Sequence, residues 1–251
     1  RLNLKGFQVT VLTAMPSYPK GKVYSGYGGI YKIEKQGNIK IVRTFIYPTQ
    51  KASFLPRLLN YFSFVLSSFL IGSWLVGKAD FLLTESPPLF LGISGYLLSR
   101  IKRAKWIFNV SDLWPESAVR LGVVKDGFAL RLSYMLERFC YKKAWMVTGQ
   151  SKSILNSILE RFPATPTYHL SNGVDIDLFT PDKKDNRNVL KRLDTTQIII
   201  YYGGLHGLAQ GLDQLILAAK KLQNENIKFV LIGDGPEKQN LINQATLNHL
   251  D

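Results

Sequence analysis

The segment Ser111-Asp112-Leu113-Trp114-Pro115-Glu116-Ser117 places two carboxylates and an indole within seven residues, directly after the run Trp106-Ile107-Phe108-Asn109-Val110. Open α/β sheets build their sites at the carboxyl ends of strands, and a carboxylate there can orient a hydroxyl or take its proton. Asp112 and Glu116 are therefore candidate catalytic residues, and Trp114 can stack on the face of a sugar. The same spacing suits a helix start, with Asp112 as cap, Pro115 in the first turn and Glu116 favouring the dipole. Spacing alone leaves both readings open. Glu85, in Thr84-Glu85-Ser86-Pro87-Pro88, is another strand-end carboxylate that can face the same cleft or simply belong to a helix-entry turn. Trp114, Glu85 and Arg120 are further candidates for contact with a ligand in that cleft.

A second constellation lies in the last eighty residues. Gln197-Ile198-Ile199-Ile200-Tyr201-Tyr202 ends in Gly203-Gly204, and Lys228-Phe229-Val230-Leu231-Ile232 runs into Gly233-Asp234-Gly235-Pro236-Glu237. A buried strand feeding a helix through glycines aims backbone N–H groups and the helix dipole at one spot, which favours phosphate. Two such strands in succession suggest a diphosphate. The candidates are Gly203, Gly204, His206, Gln210, Gly233, Gly235 and Glu237, with His206 able to donate to a phosphate oxygen. Turns of this kind also occur in doubly wound sheets that hold no phosphate. Asp175-Ile176-Asp177 offers a weak carboxylate pair for a divalent metal, with no further ligand cluster in the sequence, so no metal site is assigned. No phosphate-loop motif, zinc spacing or nucleophile elbow is present.

The elements that must position these residues alternate. Strands are expected at 8–13, 39–47, 80–84, 105–110, 145–149 and 165–170, and helices near 54–77, 88–103, 127–143 and 152–161. This order implies an α/β chain with parallel sheets. Residues 212, 215, 216, 219 and 222 are apolar at helical spacing after the first glycine pair. Residues 181–195 are polar and aperiodic, and a linker is expected there, open to proteolysis near Lys183-Lys184 and Arg187. The domains are expected at 1–172 and 173–251.

Charge follows that division. Residues 1–170 hold 23 Lys and Arg against 8 Asp and Glu, whereas residues 171–251 hold 9 against 10. A basic first half suits an anionic membrane, a phosphorylated substrate or a polyanion. Nucleic acid is disfavoured because the aromatics lie in apolar runs rather than interleaved with Arg and Lys. The single cysteine, Cys140, allows no disulfide within the chain, which fits a reducing compartment, and its apolar surroundings suggest a buried thiol. Residues 61–77 hold no charge across 17 positions. They read as a buried helix, a membrane span diluted by serines and glycine, or a helix lying in the cytoplasmic leaflet.

Gly6-Phe7-Gln8-Val9-Thr10-Val11-Leu12-Thr13 followed by Pro16-Ser17-Tyr18-Pro19-Lys20-Gly21 resembles the start of the family 4 retaining glycosyltransferases of bacterial surface polysaccharide assembly. The segments 111–117, 171–175, 204–211 and 233–237 match in order the branch that transfers N-acetylfucosamine-type sugars in O-antigen and capsule synthesis. The resemblance implies a GT-B fold of two Rossmann-like domains, an acceptor-binding one followed by one for a nucleotide sugar. It also implies no metal or other cofactor, a lipid-linked glycan acceptor, and a cytoplasmic site on the inner face of the membrane. Relatives carry Arg and Lys in the loop corresponding to residues 205–210; none occurs here between Gly203 and Lys220. His206, Gln210, the backbone or a later residue must substitute. The family's first strand and its glutamate pair are expected before Arg1 and after Asp251, so this polypeptide alone is expected to be inactive. A nonhydrolysing sugar-nucleotide epimerase of the same architecture is the enzymatic alternative, and a basic binding module without catalysis is the alternative of another class.

Overall fold

The computed structural model describes residues 2–18, 21–50, 54–122, 126–179 and 196–250. The expected linker and its protease-sensitive sites at 183, 184 and 187 lie outside the described residues. The chain divides into two compact units, Arg1–Gly173 and Val174–Asp251.

The first unit holds seven strands and five helices among the described residues. Strands β1 (Thr10–Ala14), β2 (Tyr31–Gln36) and β3 (Ile39–Thr44) form one sheet in the order β1-β3-β2. Strands β4 (Phe81–Ser86), β5 (Lys105–Val110), β6 (Met146–Gly149) and β7 (Thr167–His169) form a second, all parallel. Between them run α1 (Phe54–Leu75), α2 (Leu91–Lys102), α3 (Glu116–Arg120), α4 (Phe128–Lys143) and α5 (Lys152–Arg161). The second unit pairs β8 (Ile198–Leu205) with β9 (Ile227–Asp234) in parallel, with α6 (Asp213–Lys221) and α7 (Lys238–Leu247). The expected α/β fold is the fold observed, with the second and third sheets parallel and the first mixed.

Strand β2 was not expected. It pairs antiparallel with β3 through a two-residue turn at Gly37-Asn38, and Gly37 sits at φ 57°, a conformation that glycine adopts without steric cost. Tyr31 and Ile33 alternate with Lys32 and Glu34 ahead of Gly37-Asn38, so the hairpin signal was present in the sequence. The expected strand at 8–13 begins later and runs over Thr10–Ala14, in parallel register with Lys40–Thr44 of β3.

Local sequence explains where the helices begin and end. The Ser151 hydroxyl accepts from the Ile154 N–H at 3.2 Å and caps α5, whose last turn carries Arg161. Helix α4 closes on Lys142 and Lys143, cations placed against the negative end of its dipole. The main core gathers Leu89, Trp106, Phe108, Val110, Tyr141, Val147 and Ile158 between α2, α4, α5 and the second sheet. Strand β5 is buried on both faces, which explains its nearly continuous apolar run.

One ion pair is set in that core. Glu137 of α4 has a side chain only 1% exposed, and Arg161 of α5 grips it with two donors, Nη1 at 2.8 Å and Nη2 at 2.6 Å. The carboxylate raises the guanidinium's affinity for its proton. Arg161→Ala leaves a buried charge uncompensated and should lower stability by about 3 kcal/mol, near the low end for such pairs because the arginine is partly solvated. Urea denaturation checks this, and an unchanged midpoint would contradict it. Cys140 is fully buried; its burial, and secondarily the Glu137 charge, push the thiol up to about 12. It should resist iodoacetamide at neutral pH in the native protein and react on unfolding, as followed by mass spectrometry.

Candidate functional site

Chemistry-bearing residues collect at strand ends in each unit. In the first unit, β4, β5 and β6 are in register, so Glu85 stands beside Asn109 and Asn109 beside Thr148. Side chains one strand apart in a parallel sheet share a face. Here they form a hydrogen-bonded row. Thr148 Oγ1 donates to Asn109 Oδ1 at 2.5 Å, and Asn109 Nδ2 donates to Glu85 Oε2 at 2.8 Å. The Ser111 hydroxyl donates to the other oxygen of the same carboxylate. The file continues through Gln150, which donates to the Ser111 carbonyl at 2.5 Å and accepts from Asn172 at 2.8 Å. His169 Nε2 lies 3.3 Å from the Gln150 carbonyl.

Asn109 and Thr148 are buried, whereas Glu85 is exposed. A buried threonine and amide thus hold an exposed carboxylate in one orientation. Its remaining lone pairs can accept from substrate hydroxyls. Sequence reasoning found Glu85 but missed Asn109, Ser111, Thr148 and Gln150. The available signal was an asparagine inside the buried run of β5, where an amide needs partners.

Asp112 accepts from the Ser117 hydroxyl at 2.9 Å, and the residue before α3, Pro115, makes no side-chain cap. The expected alternative of Asp112 as that helix cap is not what the structure shows. Glu116 pairs with Arg120 at 2.5 Å, one helical turn on, and Arg120 is exposed. Trp114 is half-buried: Phe90 meets its ring edge-on at 5.7 Å, and it packs against the main core. Asp112, Trp114 and Glu116 thus sit just beyond the β5 end that carries Asn109. Asp175 Oδ1 accepts from the N–H groups of Asp177 and Leu178 at 3.1 and 3.3 Å, so one oxygen of this carboxylate closes a turn.

In the second unit the structure corrects the expected glycine loops. Gly203 and Gly204 are residues of β8, paired with Ile232 and Gly233 of β9, and Leu205 pairs with Asp234. The ladder runs on because glycine lets the two backbones close up. A Cβ on Gly233 would lie 1.8 Å from the Gly204 carbonyl oxygen, and one on Gly235 would lie 2.3 Å from the His206 carbonyl oxygen. The loop proper starts at His206, whose N–H donates to the Asp234 carbonyl at 2.9 Å and whose carbonyl accepts from the Glu237 N–H at 2.9 Å.

The His206 side chain is 4% exposed, and neither ring nitrogen has a hydrogen-bond partner among the described residues. A buried imidazole without partners has lost its hydration uncompensated, and in a native fold that is rare enough to need a reason. Gln210 lies in a 3-10 turn, Leu208–Gln210, with its side chain folded over Gly207. Glu237 precedes α7, and its carboxylate accepts from Asn240 at 3.0 Å. Lys238, missed in the sequence, opens α7 with its ammonium 4.0 Å from Asp234. It is a cation that the structure brings next to the glycine end of β9.

Residues 182–250 match the family of glycosyl transferases group 1. The match covers about the last quarter of the chain. The whole chain is similar to WcaI of Escherichia coli, whose name assigns it provisionally to glycosyl transfer in colanic acid biosynthesis: 29% identity over 253 residues, 97% of this chain and 62% of WcaI. It is also similar to WbjE of Pseudomonas aeruginosa, a glycosyltransferase by its name, at 26% identity over 162 residues, 63% of this chain and 40% of that protein. The chain thus spans about three-fifths and two-fifths of the lengths of these two relatives. Among solved structures, sucrose-phosphate synthase from Thermosynechococcus elongatus superposes with a TM-score of 0.71 over 99% of this chain and 60% of its own, at 17% identity. HepE of Anabaena, solved with UDP and glucose, superposes with a TM-score of 0.57 over 85% of this chain and 53% of its own, also at 17% identity. At such identity the likeness concerns the fold, the α/β architecture of GT-B glycosyltransferases.

The close approach of the glycine strands sets a test of the geometry. Gly233→Ala drives a methyl group into the Gly204 carbonyl and should destabilise the second unit by about 2 kcal/mol. Denaturation followed at Tyr201 and Tyr202 by hydrogen exchange would read it, and wild-type protection in the variant would contradict the pairing.

Proposed function

We propose that the protein transfers a sugar from a nucleoside-diphosphate sugar to a lipid-linked glycan, with retention of anomeric configuration, in the assembly of a surface polysaccharide. The observation that carries this reading is the group 1 match over residues 182–250, joined to similarity along 97% of the chain to a relative named for colanic acid biosynthesis. The N-acetylfucosamine-type branch is the narrower form of the proposal. Its support is the ordered motif set at 111–117, 171–175, 204–211 and 233–237.

In this mechanism the donor diphosphate meets the glycine ends of β8 and β9. Backbone N–H groups, the starts of α6 and α7, His206 and Lys238 offset its charge. The orphaned imidazole of His206 gains the partner that the described residues do not give it. Gly203, Gly204, Gly233 and Gly235 allow the backbone to approach, while Gln210 and Glu237 supply polar contacts to the nucleotide or sugar. The glycosidic C–O bond breaks toward the diphosphate, the acceptor hydroxyl attacks the same face, and its proton passes to the leaving phosphate oxygen. No residue of the chain has to be alkylated, and the chemistry calls on no cofactor.

Glu85, held by Asn109 and Ser111, accepts from the acceptor hydroxyls. Asp112 and Glu116 orient the attacking group, with Arg120 and Trp114 flanking them. The basic first half draws the protein to the inner face of the cell membrane, where a diphosphate-linked acceptor resides.

The protein, given labelled nucleotide sugars and a lipid-linked acceptor, should move label into the lipid phase with the anomer retained. An epimerised nucleotide sugar formed without acceptor would reject transfer. Glu85→Gln should raise the acceptor KM by about tenfold or more, the worth of a hydrogen bond to a charged group, with the donor KM unchanged. Asn109→Ala should do the same in part, by freeing the carboxylate. Equal effects on both substrates would remove Glu85 from the acceptor side.

A further inference from the structure

We propose that the outward face of α1 is a lipid-binding surface that lies flat in the headgroup region of an anionic membrane. This deepens the lipid-linked acceptor reading and rests on it for its purpose, while the surface itself is read from α1 alone. Leu55, Leu59, Phe62, Leu66, Leu70 and Trp74 recur at intervals of three and four along the helix, and each is 40–70% exposed. They form one apolar stripe on the solvent side. The opposite side carries Val65, Ser68 and Gly72, all buried. Trp74 at the end of the stripe meets Tyr31 edge-on at 5.9 Å, an aromatic pair suited to a membrane–water boundary.

Charge selects the occupant. Residues 34–80 contain six Lys and Arg against Glu34 and Asp80, and Glu34 is paired with Arg43, so the stretch keeps a net positive charge. A second copy of the chain would bring the same positive field against itself, whereas an anionic lipid surface neutralises it. An apolar helix face within a cationic stretch of chain suits helices that lie in the interface plane.

The inner face decides between lying on the membrane and crossing it. By length and composition α1 could span. Yet Asn60 donates to the Tyr47 carbonyl at 2.6 Å, Ser63 accepts from the Tyr47 N–H at 2.8 Å, and Ser67 donates to the Phe45 carbonyl at 2.5 Å. At the other end Lys40 donates to the Leu75 carbonyl at 2.7 Å and Lys102 to the Ser73 carbonyl at 2.8 Å. A spanning helix would break these bonds and strip β3 of its cover. In the plane of the membrane, α1 keeps all of them and buries only the stripe.

The test is co-sedimentation of the chain with phosphatidylglycerol-containing vesicles. The wild type should bind, less so in high salt, and Leu59→Glu/Leu66→Glu should lower partitioning by at least about tenfold. Both positions are exposed, so the melting temperature should hold. Leu132→Glu/Met135→Glu on the exposed side of α4 should leave vesicle binding intact. Three results would overturn the proposal: no wild-type binding, a stripe variant that binds as well as the wild type, or a wild-type dimer that the stripe variant dissolves. Release from vesicles by detergent but not by alkaline carbonate would also overturn it, in favour of a span. Stabilisation by nucleoside diphosphates, read on the same samples, separates the two proposals. Its absence with vesicle binding retained defeats the donor reading alone; its presence without vesicle binding defeats the lipid surface alone.

Discussion

Parallel register is the constraint on which the rest depends. Because β4, β5 and β6 run the same way and in step, their carboxyl ends finish together, and Glu85, Asn109 and Thr148 become neighbours although up to 63 residues separate them in the chain. The same rule acts on β8 and β9, where it sets Gly204 against Gly233. Helical crossovers return the chain to the other edge, so only carboxyl ends gather functional side chains. A one-residue slip would turn Asn109 to the opposite face and leave Glu85 without its anchor.

Two buried polar features show how the fold treats such groups. Glu137 is fully buried and fully answered: a bidentate arginine from the next helix satisfies it, and α4 and α5 are tied together by the pair. His206 is also buried, and among the described residues it is unanswered. The first is a structural charge whose desolvation is offset within the fold. The second bears a cost with no return inside the described residues, and a ligand supplying an acceptor would remove that cost. Its place beside the glycine ends makes it the strongest pointer to a bound anion in the second unit.

The architecture was largely legible in the sequence, and for a physical reason. Buried parallel strands are continuous β-branched and aromatic runs, and β5 was read with both ends correct from Lys105 to Val110. Helix α5 was legible at both ends, expected near 152–161 and found at Lys152–Arg161, although its Ser151 cap was not foreseen. Glycines misled the reading of β8. They mark turns in most sequences, but at 203 and 204 they serve close backbone approach and the ladder continues through them. Hairpin β2-β3 was missed because the expectation of strand, helix, strand overrode a two-residue turn. Within the site, Glu85, Asp112 and Glu116 were visible as strand-end carboxylates. Asn109 and Thr148 were not, since nothing in one dimension tells which polar residue of a buried strand faces which neighbour. The stretch 61–77, most of which lies in α1, was read as charge-free, but whether it is buried or outward-facing is decided by packing, and packing leaves one face of α1 open.

The central claim is that the ends of β8 and β9 receive the diphosphate of a sugar donor. Amide hydrogen exchange measured with and without a saturating nucleoside diphosphate tests it most directly, because it reports which backbone N–H groups the ligand covers. Slowed exchange confined to residues 203–211 and 233–239 is the expected result. Binding shown by calorimetry with protection elsewhere, and none at those two segments, would contradict the account.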